Sequence, residues 1–302
     1  MNAFPRTLIL LVGVAACSDG TGPGSGFDTS RPVALNARPD DAIATTYKGL
    51  PIRLVERGQP IVTAVDGVIG VVCVGMSNAR IECDAWLQAL ATDWAGEVNG
   101  SVRVVNCAVG GHAIEKWIDP QFDERLWDSC RNRRVRDAGL RVDQIRVVVH
   151  KAANQFTVGP GGEPLPEFPD PGSDYEAFVD HLEAFSMRVP VEFPSVRAVY
   201  TSSRSYGGFS TKDSRGEPLS YEEGHALNSW LATEPSPGGV WFGWGAYLWA
   251  PECGAGPTDA TGFCYERDDF RSDGVHPSEI GASRIAARLH RRLMDEAWYG
   301  VN

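Results

Sequence analysis

The feature that most constrains this chain is a repeated change of hydrophobic period between residues 67 and 298. Residues 67–74 form a continuous apolar, β-branched run, as a strand buried on both faces would. Residues 78–94 then place Ile81, Ala85, Leu87, Leu90, Ala91 and Trp94 roughly along one helical face. The alternation continues with strand-like runs at 102–106, 145–150, 196–201 and 240–244. Between and after them come helical stretches at 122–138, 175–188, 221–233 and 278–298. The helix over 175–188 is predicted to stop before Pro190, which removes a backbone donor and crowds the preceding turn. About five such strand–helix units imply an α/β fold: a three-layer α/β/α sandwich around a mainly parallel, five-stranded sheet. Such sheets bind ligands beyond the carboxyl ends of their strands.

The residues with chemical potential sit at those ends. Ser77 follows the first strand in Gly75-Met76-Ser77-Asn78, Gly110-Gly111 follow the second, and Asn154 follows the third. Asp273 and His276 lie in Asp273-Gly274-Val275-His276-Pro277, after the last strand. A hydroxyl is a weak nucleophile at neutral pH; it needs a base of pKa near 7 within hydrogen-bond reach, and that base needs a partner to fix its tautomer. Serine, histidine and aspartate supply that set. Each residue also has a plainer reading: Ser77 as a helix N-cap, Asp273 and His276 as a helix-start motif, Gly110-Gly111 as a turn, and Asn154 as an Asx-turn residue.

A net charge of −11 without a basic stripe argues against nucleic-acid partners. Residues 7–16 are apolar behind Arg6, too short to span a bilayer and long enough for the h-region of a secretory signal. Val14-Ala15-Ala16-Cys17 resembles the lipobox of bacterial lipoproteins, in which the cysteine, here Cys17, is acylated. Residues 18–30, rich in Gly, Ser, Thr and Asp, then read as a flexible tether. The chain is therefore expected to be exported and held at the cell envelope by lipid, or else secreted. Six further cysteines suggest disulfides in an exported chain. Sequence proximity favours Cys253–Cys264, then Cys107–Cys130 and Cys73–Cys83, with buried free thiols at Cys73 and Cys107 as the alternative. No Cys-x-x-Cys or His-x-x-x-His spacing points to a metal, and no cofactor is expected.

Taken in order, these blocks resemble the SGNH (GDSL-like) hydrolases. Ser77-Asn78 is similar to the first block in its Gly-x-Ser-Asn form, and Asn106-Cys107-Ala108-Val109-Gly110-Gly111 to the second. The continuation through His112, Ile114 and Trp117 is similar to the Gly-Gly-Thr-x-Ile-x-x-Trp stretch of sialate and xylan acetylesterases, with His112 in the threonine's place. Asn154 resembles the third-block asparagine, although Ala152 and Gln155 replace the usual glycine and aspartate. Asp273, His276, Pro277 and Gly281 resemble the fifth block. The resemblance implies Ser77 as nucleophile, His276 as base and Asp273 as its orienting partner. It implies an oxyanion hole from the N–H groups of Ser77 and Gly111 and the amide of Asn154. Asn78, Gly110, His112 and Trp117 become candidate substrate contacts, with turn capping favoured for His112. The implied activity is a serine esterase removing O-acetyl groups from carbohydrate. Alternatives are a lipase- or thioesterase-like enzyme on acyl lipids, and a non-catalytic carbohydrate-binding protein on a retired hydrolase fold.

The expected layout is a signal peptide over 1–16, a tether and N-terminal segment over 17–45, and a hydrolase domain over 46–302. An accessory hairpin is expected within 46–66, its strands at 52–55 and 61–64 turning at Arg57-Gly58. Residues 159–173, dense in Pro and Gly, are expected to be an irregular loop rimming the site. Ser202, Ser203 and Ser205 lack the glycine context of Ser77. Arg204 reads as a surface-loop arginine, with a substrate carboxylate or sugar hydroxyl as the alternative. Trp230, Trp241, Trp244 and Trp249 read as core rather than as sugar-stacking faces.

Overall fold

The computed structural model describes residues 46–47, 50–51, 54–151, 153–155, 157–255 and 261–301. The expected signal, tether and Cys17 lie outside the described residues. Two short strands, β1 (Thr46–Tyr47) and β2 (Leu50–Pro51), pair antiparallel. The central sheet contains β3 (Ile69–Gly75), β4 (Val102–Asn106), β5 (Ile145–Lys151), β6 (Ala198–Ser202) and β7 (Trp241–Trp244). Every pairing in it is parallel, in the order β4-β3-β5-β6-β7.

Every residue of β3, β5 and β6 is buried, because helices cover both faces. Alternate side chains feed two separate cores, following the period of two. Val71, Cys73, Val147, Val149 and Tyr200 pack with Trp86 of α1 (Ser77–Ala91) and Leu293 of α5 (Glu279–Leu293). Val72, Val74, Val148, Val199 and Phe242 face the other way. They meet Trp117 of α2 (Ile114–Ile118), Phe185 of α3 (Asp174–Glu192) and Leu227 of α4 (Leu219–Ala232). The β4 and β5 connections leave β3 toward opposite sides, so the carboxyl end of β3 is the sheet's topological switch point.

The chain differs from the sequence expectation at four places. The hairpin at Arg57-Gly58 does not form: residues 54–64 run without strand structure. Side chains hold this segment instead. Asn228 Oδ1 accepts from Val55 N at 2.7 Å, and Gln59 Nε2 donates to Asp295 O at 2.9 Å. The helix expected to end before Pro190 continues to Glu192; Pro190 falls in its last turn, where few downstream bonds are at risk, and Phe193 N still reaches Val189 O at 2.9 Å. The helical segment expected over 122–138 is wound wide, with π-helical turns at Glu124–Asp128 and Cys130–Val135 that seat Leu126, Trp127, Cys130 and Val135 in the core. The short α2 is an addition, in a segment whose five residues are too few to show a period.

All three disulfides favoured by proximity are present: Cys73–Cys83, Cys107–Cys130 and Cys253–Cys264. The free-thiol alternative for Cys73 and Cys107 is thereby excluded. Of the late tryptophans, Trp230, Trp244 and Trp249 are buried with their indole N–H groups bonded to Glu183, Asn228 and Glu217. Trp241 is half-buried against Tyr200.

Candidate active site

The site begins with the turn out of β3. Gly75 adopts φ +143°, and a Cβ there would stand 2.8 Å from Lys151 O, so the elbow needs glycine. Met76 is the N-cap residue of α1 and contributes no capping side chain. Ser77 is therefore the first helical residue, not the cap. Its own N–H is one of the helix's unsatisfied donors, at the positive end of the macrodipole.

The loop before α5 brings the other partners. His276 Nε2 lies 2.8 Å from Ser77 Oγ, and His276 Nδ1 lies 2.5 Å from Asp273 Oδ2. The second carboxylate oxygen, Oδ1, accepts from the backbone N–H groups of Val275 and His276, each at 2.9 Å. Gly274 makes this tight turn possible: its φ is +68°, and a Cβ would stand 1.7 Å from Phe209 O. The helix-start function is met by Ser278, whose hydroxyl accepts from Gly281 N at 3.2 Å, leaving Asp273 and His276 free of that duty. Partial burial pushes the Asp273 carboxyl up, but the His276 ring, the two backbone donors and the nearby imidazole charge outweigh it and hold the group at about 2. A persistent carboxylate here keeps the Nδ1–H tautomer and leaves Nε2 to accept from the serine.

The chain after β4 stays on β3 long enough to deliver Gly110-Gly111. Cys107 N bonds Cys73 O at 3.0 Å, and Val109 N bonds Gly75 O at 2.9 Å. Gly110 stands against Ser77, with an added Cβ only 3.9 Å from the serine Cβ. Gly111 lines a pocket of about 200 Å³ together with Ser77, His276 and Asn154. Asn154 follows β5 and is held on three sides. Its backbone N–H donates to Glu223 Oε1 at 2.7 Å, its Nδ2 donates to Asp174 Oδ1 at 2.9 Å, and its Oδ1 lies 2.7 Å from His181 Nδ1.

Asn78 also lines the pocket, but its Nδ2 donates to Val275 O at 2.9 Å and so clamps the histidine loop to α1. His112 does not line the pocket; its Nδ1 bonds Gly110 O at 2.8 Å and closes the glycine turn. Trp117 is corrected from a substrate contact to a core residue. It is fully buried, edge-on to Trp127, and its indole donates to His112 O at 3.1 Å. Among the described residues of 159–173, none lines the pocket, so that loop does not rim the site; it lies over α4, where Phe168 N donates to Glu222 Oε1. Ser202 and Ser203 accept from Ala246 N and Leu248 N, and Ser205 accepts from Lys151, so all three hydroxyls serve the scaffold.

Arg204 was expected on the surface and is found in the pocket wall, 6% exposed. Arg215, which carries no sequence signal of its own, lines the same pocket. The signal for Arg204 was its place just past β6, at the same sheet end as the other site residues. Among the described residues, no group of three or more His, Cys, Asp or Glu side chains could hold a metal ion.

No family model matches the chain, and no curated protein matches it. Among solved structures, it is similar to an acetyl xylan esterase variant from Geobacillus stearothermophilus, with a TM-score of 0.44 and 12% identity over 76% of this chain and 98% of that one. It is also similar to a GDSL-like lipase from Bacteroides thetaiotaomicron, with a TM-score of 0.41 and 12% identity over 76% and 90%.

Proposed function

We propose that this chain is an exported serine esterase that removes O-acetyl groups from carbohydrate through an acyl-enzyme on Ser77. The observation that carries the proposal is the position of one imidazole, 2.8 Å from a serine hydroxyl and 2.5 Å from a carboxylate, beside a pocket. In this reading His276 takes the proton as Ser77 Oγ attacks the ester carbonyl, and Asp273 stabilises the imidazolium. The N–H groups of Ser77 and Gly111 face the tetrahedral oxyanion. Asn154 Nδ2 has two hydrogens, and Asp174 takes one, leaving the other as a third donor. His276 then protonates the departing alcohol, and later takes a proton from the water that hydrolyses the acyl-enzyme.

The acetyl and carbohydrate parts of the reading rest on the similarity of residues 110–117 to acetylesterase motifs. Export is supported by the three disulfides and by residues 7–16, and lipid anchoring by the lipobox-like Cys17. The test is a panel of acetylated sugars and p-nitrophenyl esters of rising chain length, run on the wild type and on Ser77→Ala. Acetates are expected to be cleaved fastest, and the variant to lose about 10³- to 10⁶-fold in kcat. A fluorophosphonate probe is expected to label Ser77. Unchanged turnover in the variant would remove Ser77 from the mechanism, and a preference for long acyl chains would favour a lipid substrate.

A further inference from the structure

The charge of the pocket wall runs against the charge of the molecule. The chain as a whole carries −11, yet the described lining residues include two arginines, Arg204 and Arg215, and no carboxylate. A buried guanidinium is expected to spend its donors on carboxylates or carbonyls. Arg204 does so only in part. Its Nε stands 3.5 Å from Glu223 Oε2, beyond a good hydrogen bond, and its Nη1 has no hydrogen-bond partner among the described residues. Neither Arg204 nor Arg215 touches Ser77, His276 or Asp273 in the reaction described above, so that chemistry leaves both charges unexplained.

We infer that the pocket selects an ester whose alcohol portion carries a carboxylate, with Arg204 and Arg215 as the groups that recognise it. The inference rests on the esterase reading and adds a substrate class to it. Arg204 is fixed just beyond β6 and needs little ordering to bind; its planar fork suits a carboxylate. The acidic neighbours do not cancel it. Burial pushes Glu223 well above the usual carboxylate range, with Arg204 opposing and Asp174 adding to the shift, and burial likewise raises Asp174. Glu223 meets only the Nε edge of the guanidinium, and Nη1 is left for a ligand. A neutral sugar ester leaves that guanidinium desolvated and unpaired, which penalises it relative to an anionic one.

The test compares two esters that differ at one group: methyl 3-O-acetyl-glucuronoside and methyl 3-O-acetyl-glucoside. For the wild type, kcat/KM is expected to favour the glucuronoside by about 10- to 100-fold, the range a charge-assisted hydrogen bond gives. KM for the glucuronoside alone is expected to rise with salt. Arg215→Gln, altering a half-buried residue, and Arg204→Gln are each expected to shrink the ratio between the two esters. Should Arg204→Gln fail to fold, Arg215→Gln and the salt dependence of the wild type still decide. Equal kcat/KM for the two esters in the wild type, or a ratio untouched by both substitutions, overturns the inference and leaves the esterase reading intact. Absence of cleavage of either sugar and of p-nitrophenyl acetate, with no fluorophosphonate labelling at Ser77, overturns the esterase reading and the inference with it.

Discussion

At the scale of single residues, Asp273 is the group whose state the site depends on. Its folded pKa, about 2, lies below the unfolded value of 3.8. The carboxylate therefore contributes stability that is present above pH 3.8 and lost as pH falls toward 2. Asp273→Asn is expected to lower kcat by about 10⁴-fold at pH 7, because an amide no longer selects the Nδ1–H tautomer. Urea midpoints of wild type and variant are expected to differ at pH 6 and to converge near pH 2; a constant gap would mean the carboxylate's charge does not stabilise the fold. Ser77, Asp273 and His276 were legible in the sequence because each follows a strand-like run and one short motif carries both acid and base. Arg204 was misread because composition gives an arginine a surface prior, and only the folded sheet shows that residues just past β6 turn inward. Trp117 was misread for a related reason: proximity in sequence to the glycine turn says nothing about which way an indole points.

At the scale of elements, the support behind Ser77 is an ion pair between α1 and β5. Lys151 Nζ lies 2.5 Å from Glu82 Oε1 and 3.0 Å from Ser205 Oγ, with both charged side chains nearly enclosed. Removing one partner leaves a buried charge, so Lys151→Met is expected to lose about 3–5 kcal/mol. The double variant Lys151→Met with Glu82→Leu is expected to recover most of that loss, measured by urea unfolding; equal losses would deny the coupling. The alternation of strand and helix was readable because both periods are set by burial on one face or two. The region before the sheet was not. Residues 52–64 carry strand-like residues, yet Asn228 and Asp295, more than 170 positions away, supply the bonds that hold the segment. Local pattern cannot report so distant a partner.

At the scale of the whole molecule, two buried histidines set an acid limit. His150 is fully enclosed, stacked on Phe185 at 3.9 Å, with neither ring nitrogen bonded among the described residues, and burial lowers its pKa to about 3. Burial also lowers His225 to about 3. The unfolded chain takes up these protons near pH 6.5 and the folded chain does not. Stability is therefore full above pH 6.5 and falls as pH drops toward 3, by up to about 1.4 kcal/mol per pH unit for each group. His150→Leu is expected to flatten this slope in denaturant titrations between pH 6.5 and 4, and an unaltered slope would clear His150 of the effect. The Cys73–Cys83 bridge has a consequence on the same scale. It joins β3 to α1 across the very elbow that presents Ser77, so residue 77 belongs to one covalently closed ring. Mild reduction is expected to slow turnover before it unfolds the sheet, a difference seen by following p-nitrophenyl acetate cleavage and far-UV circular dichroism together. With that ring open the turn would be a slack trigger, and closing it under oxidising conditions would cock it.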